Sequence, residues 1–356
     1  MGLLYTPFKI FHYKEKIESL PRSVDKIQPP VHIRIKPTNR CNHNCSYCAY
    51  RSENLQLGTD MSVNDVIPRD KMNEIADDIV SMGVKAVTFS GGGEPLLYPY
   101  LSEIIQKFID GGVHFATLTN GANLTGEVAR QFATSGSWVR ISIDGWDEES
   151  YSEYRHVKHG EFTRVVNNMK AFSEMKGSCV LGVSIIADKK NAPHIYEIIR
   201  TVKDAGATSA KVAPCIISNS GAENNRYHAD CFDLVKDEID RAITDFHDES
   251  FEIFDSYHAL SDKFNKPYTW CPYIQILPVI GADSSIYSCH DKAYNKDCGI
   301  IASLKDQRFK DVWFSEKQQF FSINPSIHCN HHCVANQKNR MVLEYLESDL
   351  NHIMFV

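Results

Sequence analysis

The chain has 356 residues, 43% of them hydrophobic and 23% charged, with 38 basic against 45 acidic side chains for a formal net charge of -7. That length exceeds what one core usually organises, so a large unit with a smaller one appended is expected, and the composition excludes a disordered or fibrous chain. The acidic balance lacks the basic footprint of a nucleic-acid binder, which leaves a small molecule or a peptide as the expected partner.

From about residue 32, short β-branched runs alternate with amphipathic segments. VHIRIKP leads into a Cys-rich loop and a helical stretch at 69–83. KAVTFS, a helix near 100–110, HFATLTN and a helix near 124–134 follow. WVRISID, a helix near 161–176, VLGVSII, a helix near 192–206 and SAKVAPCI complete the series. Strands spaced this way with helical periodicity between them are βα units on a parallel sheet. Six such units fit before residue 220, which predicts an α/β fold built on a partial, open (β/α)6 TIM barrel with its site at the strand C-terminal ends. After 225 a long helix (226–248) and a polar stretch lead to a Cys-rich tail. The expected division is an N-terminal extension (1–30), a core barrel (31–250) and a small C-terminal unit (251–356).

No apolar run approaches the roughly 18 residues that span a bilayer, and MGLLYTPFKIFHYKEK lacks a signal-peptide cleavage pattern. A cytoplasmic location away from membranes is the expectation. Eleven cysteines in such a chain read as metal ligands or catalysts, because cytosolic thiols stay reduced. Cys41, Cys45 and Cys48 lie in CNHNCSYC directly after the first strand, so three thiols share one loop at the barrel mouth. A 4Fe-4S cubane held by three thiolates keeps one iron open for another ligand, much as a catalytic zinc keeps an open position. A Cys3His zinc site using His43 or a distant histidine is the structural alternative.

The CxxxCxxC spacing, the aromatic Tyr47 before the third cysteine, and Gly91-Gly92-Gly93-Glu94-Pro95 after the second strand together resemble the radical S-adenosylmethionine (SAM) superfamily. The resemblance runs over roughly residues 32 to 335. It implies that a 4Fe-4S cluster on Cys41, Cys45 and Cys48 chelates SAM through its open iron and splits it to a 5'-deoxyadenosyl radical. It also implies that Tyr47, Gly92, Gly93, Glu94, Asn120, Ser142, Asp144 and Ser184 contact SAM, with Arg155 meeting its carboxylate as a charge-assisted pair. Glycines at a strand end let backbone approach a ligand closely, although Asn120-Gly121 and Asp144-Gly145 are also ordinary turn dipeptides.

The tail cysteines Cys271, Cys289, Cys329 and Cys333 resemble the ligand set of the twitch domain, the shortened form of the SPASM domain, and leave Cys298 free. Five tail cysteines support one auxiliary 4Fe-4S cluster, whereas a full SPASM domain needs about seven. Ligation by four thiolates implies an electron carrier; a structural zinc on the same thiols is the alternative. Cys215, ending the sixth strand, is the candidate hydrogen donor to a substrate radical, against a plain buried cysteine.

The resemblance implies a radical SAM oxidoreductase that dehydrogenates or epimerises an alcohol carbon of a sugar, sugar nucleotide or aminocyclitol, fed by an external electron donor such as flavodoxin or ferredoxin. Maturation of a ribosomally made peptide is the second reading. Such enzymes often carry an N-terminal recognition domain of about 80 residues, where about 30 precede the first strand here. A zinc-stabilised scaffold without catalysis is the third.

Overall fold

The computed structural model describes residues 4–355. Ten strands form one sheet, in the order β10-β9-β8-β1-β2-β3-β4-β5-β6-β7. They are β1 (His32–Ile35), β2 (Ala86–Phe89), β3 (His114–Thr119), β4 (Trp138–Ser142), β5 (Val180–Ala187), β6 (Ser209–Pro214), β7 (Glu252–Asp255), β8 (Val279–Ile280), β9 (Ser285–Tyr287) and β10 (Ile300–Ser303). Every pairing from β8 through β1 to β7 is parallel, and β8-β9 and β9-β10 are antiparallel. The six expected units are present, and the sheet stays open because β7 and β10 are its edges.

Helices Arg69–Met82, Leu101–Asp110, Gly126–Ser135, Glu161–Glu174 and Ile195–Asp204 return the chain between strands, close to the expected ranges. Their apolar faces pack on the outer side of the sheet, where Ile33, Val87, Phe89, Val139, Ile141, Val183 and Val212 are buried with Ile75, Ile104, Phe132 and Ile199. Burial of this apolar surface is the main stabilising contribution.

Three features depart from the expectation. The helix foreseen over 226–248 is two, Gly221–His228 and Phe232–Phe246, separated by a short 3-10 turn. Glu148–Arg155 forms a helix with a capping box at Asp147 and Ser150. The parallel sheet continues past residue 250 into β7, and the tail adds β8 directly to β1, so the sheet runs without interruption across the expected boundary.

The tail is also clasped to the barrel by Arg308, which donates from Nη2 (2.6 Å) and Nε (3.1 Å) to Oδ1 of the buried Asp78. Lys310 N donates to the other oxygen at 3.2 Å. Asp78→Ala is expected to cost about 2–3 kcal/mol, the scale of hydrogen bonds to a charged group, read as a lowered denaturant midpoint; an unchanged midpoint would contradict the clasp. Among the described residues no helix is long and apolar enough to cross a membrane.

Candidate functional site

Side chains alternate across a strand, and the alternation decides what the barrel interior contains. On β4 and β6 the apolar partners Val139, Ile141 and Val212 face the helices, while Arg140, Ser142 and Lys211 face inward and remain partly accessible. The interior at this end is therefore a polar cavity rather than packed hydrocarbon.

Two cavities adjoin at the strand C-terminal ends. The first, about 230 Å³, is lined by Cys41, Cys45, Cys48, the run Ser90–Glu94, Thr119, Asn120, Ser142 and Arg155. The second, about 380 Å³, is lined by Ser142, Ser184, Arg140, Lys211, Lys263 and residues of the tail. Leu118, Ser142 and His290 line both, so the two share a wall.

The glycine run holds the cysteine loop. Gly93 N donates to Thr38 O at 3.2 Å and Glu94 N to Arg40 O at 2.8 Å, so the run is stitched to the residues just before Cys41. A Cβ on Gly92 would lie 2.1 Å from Asn39 Oδ1, and one on Gly93 would lie 2.1 Å from Arg40 O. A side chain at Gly92 would have to displace those of Asn39 and Met61, and one at Gly93 would meet fixed backbone. The close approach expected for a ligand is made first by the protein's own backbone.

Glu94 ties this turn to the next strand. Its Oε1 accepts from Thr119 Oγ1 at 2.6 Å and Leu96 N at 3.0 Å, and its Oε2 accepts from Asn120 N at 2.7 Å. Burial raises its carboxyl above the usual range, and the three donors oppose that shift. Asn120 donates from Nδ2 to Asn42 Oδ1 at 2.8 Å, which binds the strand end to the cysteine loop.

Asp144 departs most from its expected ligand role. It is fully buried and lines neither cavity. Its Oδ2 accepts from the Tyr47 hydroxyl and from Arg155 Nη2, and its Oδ1 accepts from Ile186 N at 2.7 Å. Arg155, expected to meet a SAM carboxylate, is thus paired inside the protein, although it does line the first cavity. The aromatic expected beside the ligand, Tyr47, anchors the loop through this same cluster. Ser142 and Ser184 are register partners on β4 and β5, and both face the second cavity.

Cys215 lines neither cavity; Pro214 and Ile216 do. The strand ends at Pro214, one residue before the thiol expected at the mouth from its place at the strand end. Burial pushes that thiol up to about 12, so it is a packed cysteine rather than a group at the mouth.

The thiols of the first loop feel one another. Burial pushes Cys41 up to about 11, with Cys45 among the charges that raise it further, and Cys45 likewise raises Cys48. In the tail, Cys289 is raised by burial and then by charges that include Cys333, Cys271 and Cys329. Those four thus lie within electrostatic reach of one another, and Asn339 Nδ2 donates to Cys271 Sγ at 3.2 Å. Cys298 stands beside them and accepts from Lys292 Nζ at 3.0 Å. Among the described residues no three His, Cys, Asp or Glu side chains converge closely enough for a single ion. Thiolates bound to different irons of a cubane do not need to converge on one point. His43, the alternative zinc ligand, holds Glu161 Oε1 at 2.9 Å through Nε2.

Sequence reasoning missed the groups between the two cysteine sets. Lys36 is buried at the end of β1, where its Nζ donates to Tyr50 Oη and Gly91 O, and Tyr50 Oη lies 3.0 Å from His290 Nδ1. Burial holds Lys36 well below the usual lysine range. The available signal was the period-two spacing of His32, Arg34 and Lys36 in VHIRIKP, which places three bases on one face of a strand.

The Radical SAM superfamily model matches residues 35–208. A similar protein is the AdoMet-dependent heme synthase of Methanosarcina barkeri, 25% identical over 189 residues, covering 53% of this chain and 51% of that one. Another is a probable GTP 3',8-cyclase of Methanocaldococcus jannaschii, 30% identical over 176 residues, covering 49% and 56%. The Bacillus subtilis protein AlbA of antilisterial bacteriocin subtilosin biosynthesis is 27% identical over 180 residues, covering 50% and 38%. The chain thus spans about half the length of the first two and less of the third.

The fold is shared with Streptococcus suis SuiB bound to the precursor peptide SuiA, at a TM-score of 0.63 and 16% identity, covering 88% of this chain and 71% of that one. It is also shared with anSMEcpe bound to AdoMet, at 0.57 and 16%, covering 89% and 96%. Residues 35–208, which carry the cysteine loop and most of the barrel strands, thus match the radical SAM superfamily.

Proposed function

We propose that this chain is a radical SAM oxidoreductase that dehydrogenates or epimerises an alcohol carbon of a sugar, sugar nucleotide or aminocyclitol. The reading rests on one observation: a cavity edged by three thiols shares a wall with a larger polar cavity.

Cys41, Cys45 and Cys48 would hold the superfamily's 4Fe-4S cluster, with SAM beside the glycine run and Asn120. When bound, that pair supplies a 5'-deoxyadenosyl radical, which abstracts hydrogen from carbon. The protein's own part is placement and exclusion of water. Gly92, Gly93 and Glu94 fix the cysteine loop, and the Asp144–Arg155–Tyr47 cluster holds it from the other side. Ser142, on the shared wall, faces both occupants, and Ser184 faces the substrate. Cys271, Cys289, Cys329 and Cys333 would hold the auxiliary cluster, and an external donor such as flavodoxin or ferredoxin would supply electrons.

Maturation of a peptide is the second reading, favoured by the likeness to AlbA. The test is formation of 5'-deoxyadenosine by the anaerobically reconstituted chain, with sugar nucleotides or aminocyclitols against linear peptides. A rise of at least tenfold with a sugar or aminocyclitol member is expected. A rise with peptides alone would replace the leading reading by the second.

A further inference from the structure

The second cavity is basic, contrary to the chain's net charge. Arg140 on β4, Lys211 on β6 and Lys263 after β7 line it, against one carboxylate, Asp291. The groups that hold these three cations are neutral. Arg140 donates from Nη2 to Tyr5 Oη, and its guanidinium lies over the rings of Tyr5 and Trp138 at 4.8 and 5.0 Å. Lys211 Nζ lies 5.4 Å from the centroid of the Tyr5 ring. Lys263 Nζ meets only Ser256, at 3.2 Å to Oγ and 3.4 Å to O.

Arg140 Nε is buried without a hydrogen-bond partner. Buried donors left unpaired are costly and ordinarily find an acceptor. Burial lowers Lys211 to about 8, and the charges that lower it further are Arg140, Lys263 and Lys338, all cations. Collecting three cations in a cleft whose lining holds a single carboxylate costs free energy that an anionic occupant would recover.

We propose that this cavity takes its substrate by a phosphate group, with Arg140, Lys211 and Lys263 as the counterions. The inference rests on the reading of this cavity as the substrate site and narrows it to phosphate-bearing molecules. Three cations against one carboxylate leave an excess that a dianion balances better than a single carboxylate does. Ser142 and Ser184, on the same wall, offer hydroxyls to the neutral part of the molecule.

The test is titration calorimetry of the full, anaerobically reconstituted chain with inorganic pyrophosphate, and with malonate as a dicarboxylate control, at about pH 6, where the two anions carry similar charge. Wild type is expected to bind pyrophosphate more tightly than malonate. Lys211→Gln and Lys263→Gln should each weaken pyrophosphate roughly tenfold or more, the scale of one charge-assisted hydrogen bond, with iron content and circular dichroism as folding controls. No pyrophosphate binding, unchanged affinity in both variants, or tighter binding of malonate would overturn the phosphate assignment. Deoxyadenosine formation, measured separately, keeps the two claims apart. Pyrophosphate binding that depends on Lys211 without SAM cleavage would keep the anion site and sink the enzymatic reading, and SAM cleavage without pyrophosphate binding would do the reverse.

Discussion

Gly93→Ala is expected to empty the first cysteine site, lowering the iron of the reconstituted chain from roughly eight to roughly four atoms, one cubane's worth. The added methyl would sit 2.1 Å from Arg40 O and 2.4 Å from Asn39 C. Both are backbone atoms, so no side-chain rotation relieves the overlap. The segment that must move is the one that leads into Cys41, and its displacement separates Cys41 from Cys45 and Cys48. The tail cysteines lie on other segments and should keep their metal. Iron analysis with a near-native far-UV spectrum checks this. A variant that keeps its full iron would show that the glycine run does not position the loop.

The second large effect is expected at Asp144. It is fully buried, and Arg155 retains 3% exposure, so removing the carboxylate leaves a guanidinium without its counterion in a dry site. Asp144→Leu should therefore cost about 3–5 kcal/mol, whereas the double variant Asp144→Leu, Arg155→Met should recover much of that loss. Tyr47 loses the acceptor of its hydroxyl in either case, so both variants should also loosen the cysteine loop. Denaturant midpoints of the two single variants and the double variant form the cycle. Additive losses would mean that the pair is not coupled.

The sequence made the parallel sheet legible because each core strand carries an apolar outer face between turn residues, and the helices show clear 3.6-residue periodicity. Glu148–Arg155 stayed hidden because EESYSEYR is polar around its circumference, and its existence depends on the capping box at Asp147 and Ser150. β7 escaped because EIFD offers only Ile253 and Phe254 as apolar residues, side by side between two acids, so neither an apolar run nor an alternation marks it. Cys215 follows Pro214, the last residue of β6, and lines neither cavity, which its place at a strand end did not reveal.

The first cysteine loop and GGGEP could be found by spacing alone, since ligands on one loop and a glycine run at a strand end are local patterns. Asp144 and Arg155 were legible as unusual but not as a mutual pair. Their contact forms between a strand end and a helix that sequence periodicity did not reveal. The basic second cavity was obscured by the net charge of -7, which averages a mostly acidic exterior with a few inward-facing bases. Reading Arg140 and Lys211 as inward-facing positions of β4 and β6, two strands of one parallel sheet, recovers it.

The central claim is that the loop of Cys41, Cys45 and Cys48 carries the chemistry. The most direct test is to reconstitute the chain without oxygen, add SAM and dithionite, and measure 5'-deoxyadenosine against a variant with all three cysteines replaced by alanine. The account predicts deoxyadenosine from the wild type and none from the variant, with the variant retaining the iron of the tail. Bound zinc without iron, or no SAM cleavage under any reductant, would contradict it and leave a metal-stabilised scaffold.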